Sequence, residues 1–316
     1  MLYQLLKLPA RIALNLYCRN LNINKKQVLN YEGPLLIAAN HPNSFLDAVI
    51  ISTLFKRPVY SLVRGDVYIN SFFSRILTAL NMLPVYRISE GAENLGHNYS
   101  TFTKCREIFK NNGIVLIFSE GGCINEWHLR PLKKGTARLA LSSWEENIPL
   151  NVLPAGINYQ SFSKFGKNII LNFGKVIQQN DISTADGGGR SIAAFNNELR
   201  LQLNNLVIQI DKKNTKEITN TFRIKTGVIK KILLAIPAFA GFVLHLLPYL
   251  FIKLTLGKRF RHNDHYDSVM VAGMFIIYPF FIITAMVILF ILKVKCWWLS
   301  FLVIPFCGWS YIQLKK

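Results

Sequence analysis

Residues 269–292, VMVAGMFIIYPFFIITAMVILFIL, contain no charged side chain. About 20 apolar residues suffice for a helix to cross the roughly 30 Å hydrocarbon core of a bilayer. This run therefore predicts a membrane-spanning helix. Its neighbours read similarly. ILLAIPAFAGFVLHLLPYLFI, residues 232–252, is long enough to enter a bilayer but is interrupted by Pro237, Gly241 and Pro248. A proline inside a helix removes a hydrogen bond and clashes with the preceding turn. With basic flanks at 223–231 and 253–261, the segment predicts a re-entrant hairpin broken at its prolines, both ends cytoplasmic. WWLSFLVIPFCGWSYI, residues 297–312, has aromatics at its ends like an interfacial belt.

Charge narrows the partners. The chain has 37 Lys and Arg against 17 Asp and Glu, a net of +20. Such a surface suits nucleic acid, an anionic membrane or a phosphorylated substrate. The apolar runs favour anionic membrane lipids, and with no nucleic-acid motif present, no nucleic-acid partner is expected. At the N-terminus Leu2, Leu5, Leu6, Pro9, Ile12, Ala13 and Leu16 recur at helical spacing. Lys7 and Arg11 interrupt that run instead of preceding it, unlike a signal peptide. The pattern predicts an amphipathic segment lying in a bilayer interface, with a core-packing helix as the other reading. The five cysteines are odd in number and scattered, which suggests free thiols in a reducing compartment. RHNDHYD, residues 261–267, clusters two His and two Asp but reads as a solvated turn, and no metal is expected.

Between these apolar ends, short apolar runs alternate with amphipathic ones from about 34 to 176. PLLIAA, PVYSLV, MLPVYRI, GIVLIFS, NVLPAGINY and NIILNFG predict strands; SFLDAVIISTLF, SFFSRILTAL, YSTFTKCREIFKN and GTARLALSSWEE predict helices. A further helix is expected over 191–210, capped by Ser191. Such alternation defines an α/β fold, a mostly parallel sheet flanked by helices, here followed by a hydrophobic helical membrane region. The expected division is an interface segment over 1–30, an α/β domain over 31–212, a basic connector over 213–231 and membrane helices over 232–316.

One strand exit stands out: NHPNSFLD, residues 40–47. His41 and Asp47 are turned about 240° apart on a helix and would share no face. Pro42, however, disfavours helical backbone at His41, which places the imidazole in a loop. Asn43 or Ser44 then caps a helix whose first turn holds Asp47. Helical side chains lean toward the N-terminus, so Asp47 can reach back to His41. A loop histidine oriented by a first-turn aspartate is a workable general-base pair; the plainer reading makes Asp47 a cap and His41 an ordinary loop residue.

Other polar residues gather at strand ends, where α/β sheets place ligand crevices. They are Asn40, Arg64 in LVRGDVY, Arg87 in LPVYRISEG, Glu120, Gly121 and Gly122 in IFSEGG, and Arg130 and Lys133 in LRPLKKG. Glycines admit a ligand close to the backbone, and arginines grip phosphate bidentately. A carboxylate would repel phosphate, so Glu120 is expected to meet a substrate hydroxyl or to fix an arginine.

In that order, over roughly residues 30–180, these stretches resemble the phospholipid/glycerol acyltransferase family. NHPNSFLD resembles its His-Asp box, RGDVYINSFFSRILTALNMLPVYR its second block, FSEGG its Phe-Pro-Glu-Gly motif and VLPAGINY its last strand. Five residues separate His41 from Asp47 where four are usual, as in a subgroup with fungal-type glycerol-3-phosphate acyltransferases. Gly122-Cys123 replaces the usual Thr-Arg, which leaves Arg130 or Lys133 to meet phosphate. The resemblance implies transfer of a fatty acyl group from an acyl-CoA or acyl-carrier-protein thioester to glycerol 3-phosphate or its 1-acyl ester. His41 and Asp47 would be catalytic, and Asn40, Arg64, Arg87, Glu120, Gly121, Gly122, Arg130 and Lys133 would line the acceptor site. No cofactor is implied beyond the thioester donor. The expected location is a membrane, the cytoplasmic one in a bacterium, with the site facing the cytoplasm. The altered third block keeps a second class in view, a membrane-anchored lipid-binding protein with a degenerate site.

Overall fold

The computed structural model describes residues 2–68, 70–86, 96–182 and 188–315. Seven strands form one sheet in the order β1 (Cys18–Ile23), β7 (Lys167–Phe173), β6 (Asn151–Tyr159), β2 (Leu35–Ala39), β5 (Ile114–Phe118), β3 (Val59–Arg64), β4 (Met82–Val85). Strands β2 to β6 are mutually parallel; β7 lies antiparallel to β6, and β1 parallel to β7.

Central β2 is buried at every position, as a strand covered on both faces must be. Its alternation feeds two cores. Leu35, Ile37 and Ala39 pack with residues of α1 (Leu2–Tyr17) and α2 (Phe45–Leu54). Leu36 and Ala38 pack on the other face with α4 (His97–Lys110), α5 (Gly135–Glu145) and α6 (Gly188–Leu206). The short α3 (Ser71–Ala79) is capped by the Asn70 side chain, which accepts from the Phe72 and Phe73 amides. Because β2, β5 and β6 end on one edge, the loops following them meet there.

Within the stretch over 2–30, part of the chain enters the fold. In α1, Leu5, Leu8 and Ile12 are exposed, while Leu14 and Tyr17 enter the core. The chain then forms β1, an edge strand of polar composition, CRNLNI. Its partner β7 lies about 150 residues away, and no local pattern announces such a pairing. Likewise α6 begins at Gly188, one turn before the expected cap Ser191. The basic connector contains α7 (Thr215–Thr221), whose Ile218 packs with Ile210 and Phe222.

Among the described residues, three helices are long and apolar enough to cross a membrane. Helix α8 (Val228–Ile252) passes through Pro237 and Pro248 unbroken, so the predicted break at the prolines is absent. It continues through a π-helical turn, Lys253–Gly257, into the single turn α9 (Lys258–Phe260), 33 residues in all. Close packing against α11 (Ser300–Leu314) supports it: Gly241 lies so near the Cys307 carbonyl that no Cβ would fit. Freed backbone groups in apolar helices are tolerated where a neighbouring helix covers them. Helix α10 (Tyr266–Ile291) buries its first two turns, Asp267, Ser268, Met270, Val271 and Gly273, while its apolar remainder is largely exposed.

These helices attach at the edge where β2, β5 and β6 end and β1 and β7 begin. Arg19 of β1 donates to Ile224 and Lys315 carbonyls at 3.2 and 2.9 Å. Gln313 donates back to the Arg19 carbonyl at 3.0 Å, and Lys315 to that of Phe165 at 2.8 Å. The Phe165 ring meets Tyr249 of α8 edge-on, centroids 5.4 Å apart.

Candidate active site

The β2 strand leaves its core at Asn40, whose amide is spent on the fold. Its Nδ2 donates to the Ile157 carbonyl at 3.1 Å, and its Oδ1 accepts from the Ile157 amide at 2.8 Å. Asn40 thus splices the exit of β2 to β6, whereas the sequence had placed it among the acceptor contacts.

His41 follows in the loop. Its Nδ1 lies 2.9 Å from Asp47 Oδ2, and its ring stacks on Phe118 with centroids 3.8 Å apart. Asp47 is fully buried in the first turn of α2. Its Oδ2 also accepts the Asn43 amide at 2.8 Å, and its Oδ1 accepts the Tyr159 hydroxyl at 2.6 Å. Three protein donors hold this carboxylate. Burial and the adjacent Asp47 charge push the Tyr159 phenol well above its ordinary range, so it stays a donor. The Asp47 contact fixes Nδ1 as the donor and leaves Nε2 as the basic nitrogen.

Ser44, the residue before α2, has φ +52 and makes no side-chain cap. Such backbone costs of order 1–3 kcal/mol in a residue with a Cβ and persists only where surrounding contacts over-determine it. The contacts are present. The Ser44 amide donates to Cys123 Sγ at 2.9 Å, and its Oγ lies 2.6 Å from His265 Nδ1.

Glu120, at the end of β5, is buried and faces backbone. One oxygen accepts the His41 amide at 3.0 Å, the other the Arg130 amide at 2.9 Å. Burial raises its carboxyl, while the Arg130 and His41 amides and the charges of both residues pull it back. Glu120 clamps the His41 and Arg130 loops together. The Arg130 guanidinium donates to the Gly122 carbonyl at 3.0 Å. Gly121 has φ +66, and a Cβ there would come within 2.8 Å of Lys133 Cγ. Lys133 itself is exposed. Arg64 lies exposed at the end of β3 and pairs with Asp66 in its own turn. Arg87 lies outside the described residues.

Several partners of the His41 loop were not singled out by the sequence reading. Tyr159 ends a buried strand, and a buried tyrosine hydroxyl needs a partner. Cys123 is held between Ser44 and the Asp264 carbonyl, and burial pushes its thiol to about 12. That sulfur is a poor nucleophile at neutral pH. RHNDHYD is no free solvated turn, since its Asp264, His265 and Asp267 dock on the loops described here. No metal-binding group forms among the described residues. Asp267 at the head of an apolar helix was the available signal, because an ionisable group there is expensive unless paired.

Residues 20–158 match the model of the family described as Acyltransferase. Over 74 residues the chain is 35% identical to glycerol-3-phosphate O-acyltransferase 1 of Saccharomyces cerevisiae, a match covering 23% of this chain and 10% of the yeast protein. Among solved structures it is similar to the 1-acyl-sn-glycerophosphate (LPA) acyltransferase PlsC from Thermotoga maritima. That likeness has 12% identity and a TM-score of 0.44, over 66% of this chain and 74% of that one. The match to the Acyltransferase model falls on the α/β part of the chain, from β1 to the end of β6.

Proposed function

We propose that this protein transfers a fatty acyl group from a thioester, acyl-CoA or acyl-carrier protein, to a hydroxyl of glycerol 3-phosphate or 1-acyl-glycerol 3-phosphate. The observation that carries this reading is the 2.9 Å contact between His41 Nδ1 and the fully buried Asp47 carboxylate. His41 Nε2 takes the acceptor hydroxyl proton while that oxygen attacks the thioester carbonyl. The tetrahedral intermediate collapses with cleavage of the C–S bond, and the departing thiolate takes the proton from the imidazolium. Asp47 holds the tautomer and stabilises the imidazolium without itself being protonated. A thioester is already activated, so positioning and proton transfer are what remain for the protein to supply. The raised Cys123 thiol supports direct transfer over an acyl-enzyme.

Glu120 keeps the base and the Arg130 loop in register, and Arg64, Arg87, Arg130 and Lys133 supply positive charge for the acceptor phosphate. Membrane attachment through the apolar helices would hold this site at the cytoplasmic leaflet, where anionic lipid is both neighbour and product. The test uses the full chain in detergent, with thiol release followed for each thioester donor. Release that depends on added glycerol 3-phosphate or lysophosphatidate is expected. Thioester loss independent of any acceptor would overturn the reading.

A further inference from the structure

The loop that presents His41 and Asp47 is gripped from outside the α/β domain. Asn43 Nδ2 donates to Asp267 Oδ2 at 2.6 Å. Ser268 Oγ accepts the Leu46 amide at 3.1 Å and donates to the Asn43 carbonyl at 2.9 Å. His265 meets Ser44 as described, and Asp264 Oδ1 accepts the Asn125 amide at 3.1 Å. Asp267 also forms an ion pair with Lys167 in which both side chains are wholly buried. Lys167, the first residue of β7, lies over the rings of Tyr17 and Tyr159, 4.9 and 5.9 Å from their centroids. Together these contacts join the α9–α10 turn and the first turn of α10 to the His41 loop, the start of α2, the loop of Cys123 and Asn125, and the start of β7.

An ion pair stripped of water on both sides contributes little net stability, because desolvation offsets the attraction. What it supplies is a fixed position. Here that position is the amide side chain of Asn43, whose own backbone N–H is held by Asp47. The strained Ser44 needs such external contacts to keep its φ.

We propose that Asp267, at the head of apolar helix α10, is a positioning residue for the His41–Asp47 pair, so that the geometry of the base depends on the docked membrane hairpin. The proposal rests on the acyl-transfer reading for its kinetic consequence but not for its structural one. Seating Asp267 on Lys167 pulls Asn43 and, through it, the Asp47 end of the loop into register. Ser268 closes the first turn of α2, a task no residue within α2's own cap performs.

The test compares the full chain with its Asp267→Asn and Ser268→Ala variants in detergent, by two readouts. Iodoacetamide alkylation of Cys123, read by peptide mass, needs no activity. Because Cys123 is clasped between Ser44 and Asp264, its alkylation should quicken several-fold in both variants. For acyl transfer, kcat with Asp267→Asn should fall by about 10²-fold with little change in acceptor KM, the order lost when a reacting group is misplaced by an ångström. In the Asp47→Asn background the same substitution should cost almost nothing further, because the group it positions is already disabled. Ser268→Ala carries the test if Asp267→Asn does not fold. Unchanged alkylation in both variants would overturn the docking, whether or not acyl transfer is found. Faster alkylation with wild-type kcat, or a full multiplicative loss in the double variant, would overturn the positioning role.

Discussion

The loops that leave β2 and β3 lie on the same sheet edge, separated by β5, yet use charge in opposite ways. After β2, Asp47 is fully buried, His41 is 15% exposed, and the carboxylate is held by three donors. After β3, the Arg64 and Asp66 side chains are 45% and 43% exposed and pair within their own turn. A buried, fully satisfied carboxylate keeps one orientation and feels its neighbours strongly. An exposed pair is screened by water and salt and is worth about 0–1 kcal/mol. The first loop can set a tautomer; the second, solvated and paired within its own turn, cannot.

The sharpest break would come from His41→Ala, which should lose about 10²–10⁴-fold in acyl transfer, the range general-base catalysis supplies. Asp47→Asn should fall steeply too. Thiol release with a circular-dichroism control for folding measures both, and an active His41→Ala protein would remove the contrast between the loops. Next comes Tyr159→Phe, which deletes one donor to Asp47 and keeps the ring. A hydrogen bond to a charged group is worth about 1.5–3 kcal/mol, so kcat should drop roughly ten- to hundredfold. A wild-type rate would show that the other two donors suffice.

Glu120→Gln should act on stability and its pH dependence. The raised Glu120 carboxyl holds its proton more tightly in the folded than in the unfolded chain. Its contribution is therefore fully present below the ordinary carboxylate range and is lost as pH rises through its raised value. Thermal melts of wild type and variant from acidic to neutral pH should show the wild type losing stability with pH relative to Glu120→Gln; parallel curves would contradict that. Arg64→Ala should do least. Stability should change by less than about 1 kcal/mol, with a modest rise in acceptor KM that shrinks at high salt. A loss as deep as that of Tyr159→Phe would place Arg64 with the buried loop.

What could be read from the chain followed from locality. LLIAA, IVLIF and NVLPAGINY are continuous apolar runs, so their strands were evident, and Pro42 marked the turn between His41 and Asp47. Edge strand β1 was hidden because CRNLNI buries little and is defined by distant β7. Pro237 and Pro248 misled, since a helix covered by α11 tolerates them. Asp267 beside an apolar run signalled that the RHNDHYD turn needs a partner, but which one was hidden for the same reason as β1: Asn43, Ser44, Asn125 and Lys167 lie far away along the chain. Asn40 and Glu120 were seen as polar groups at strand ends, but only coordinates reveal that both face backbone.

The Asn43–Asp267 contact spans 224 positions, and distance along a chain is also time. At roughly 5–20 residues per second, the ribosome needs about 10–45 s to cover that interval. Throughout it the α/β domain can collapse around β2 while the loop that carries His41 lacks its last clasp. The clasp arrives only with the start of α10, the most apolar of the helices long enough to cross a membrane. On the acyl-transfer reading, a nascent chain would thus carry its base without that clasp until the head of α10 has been made.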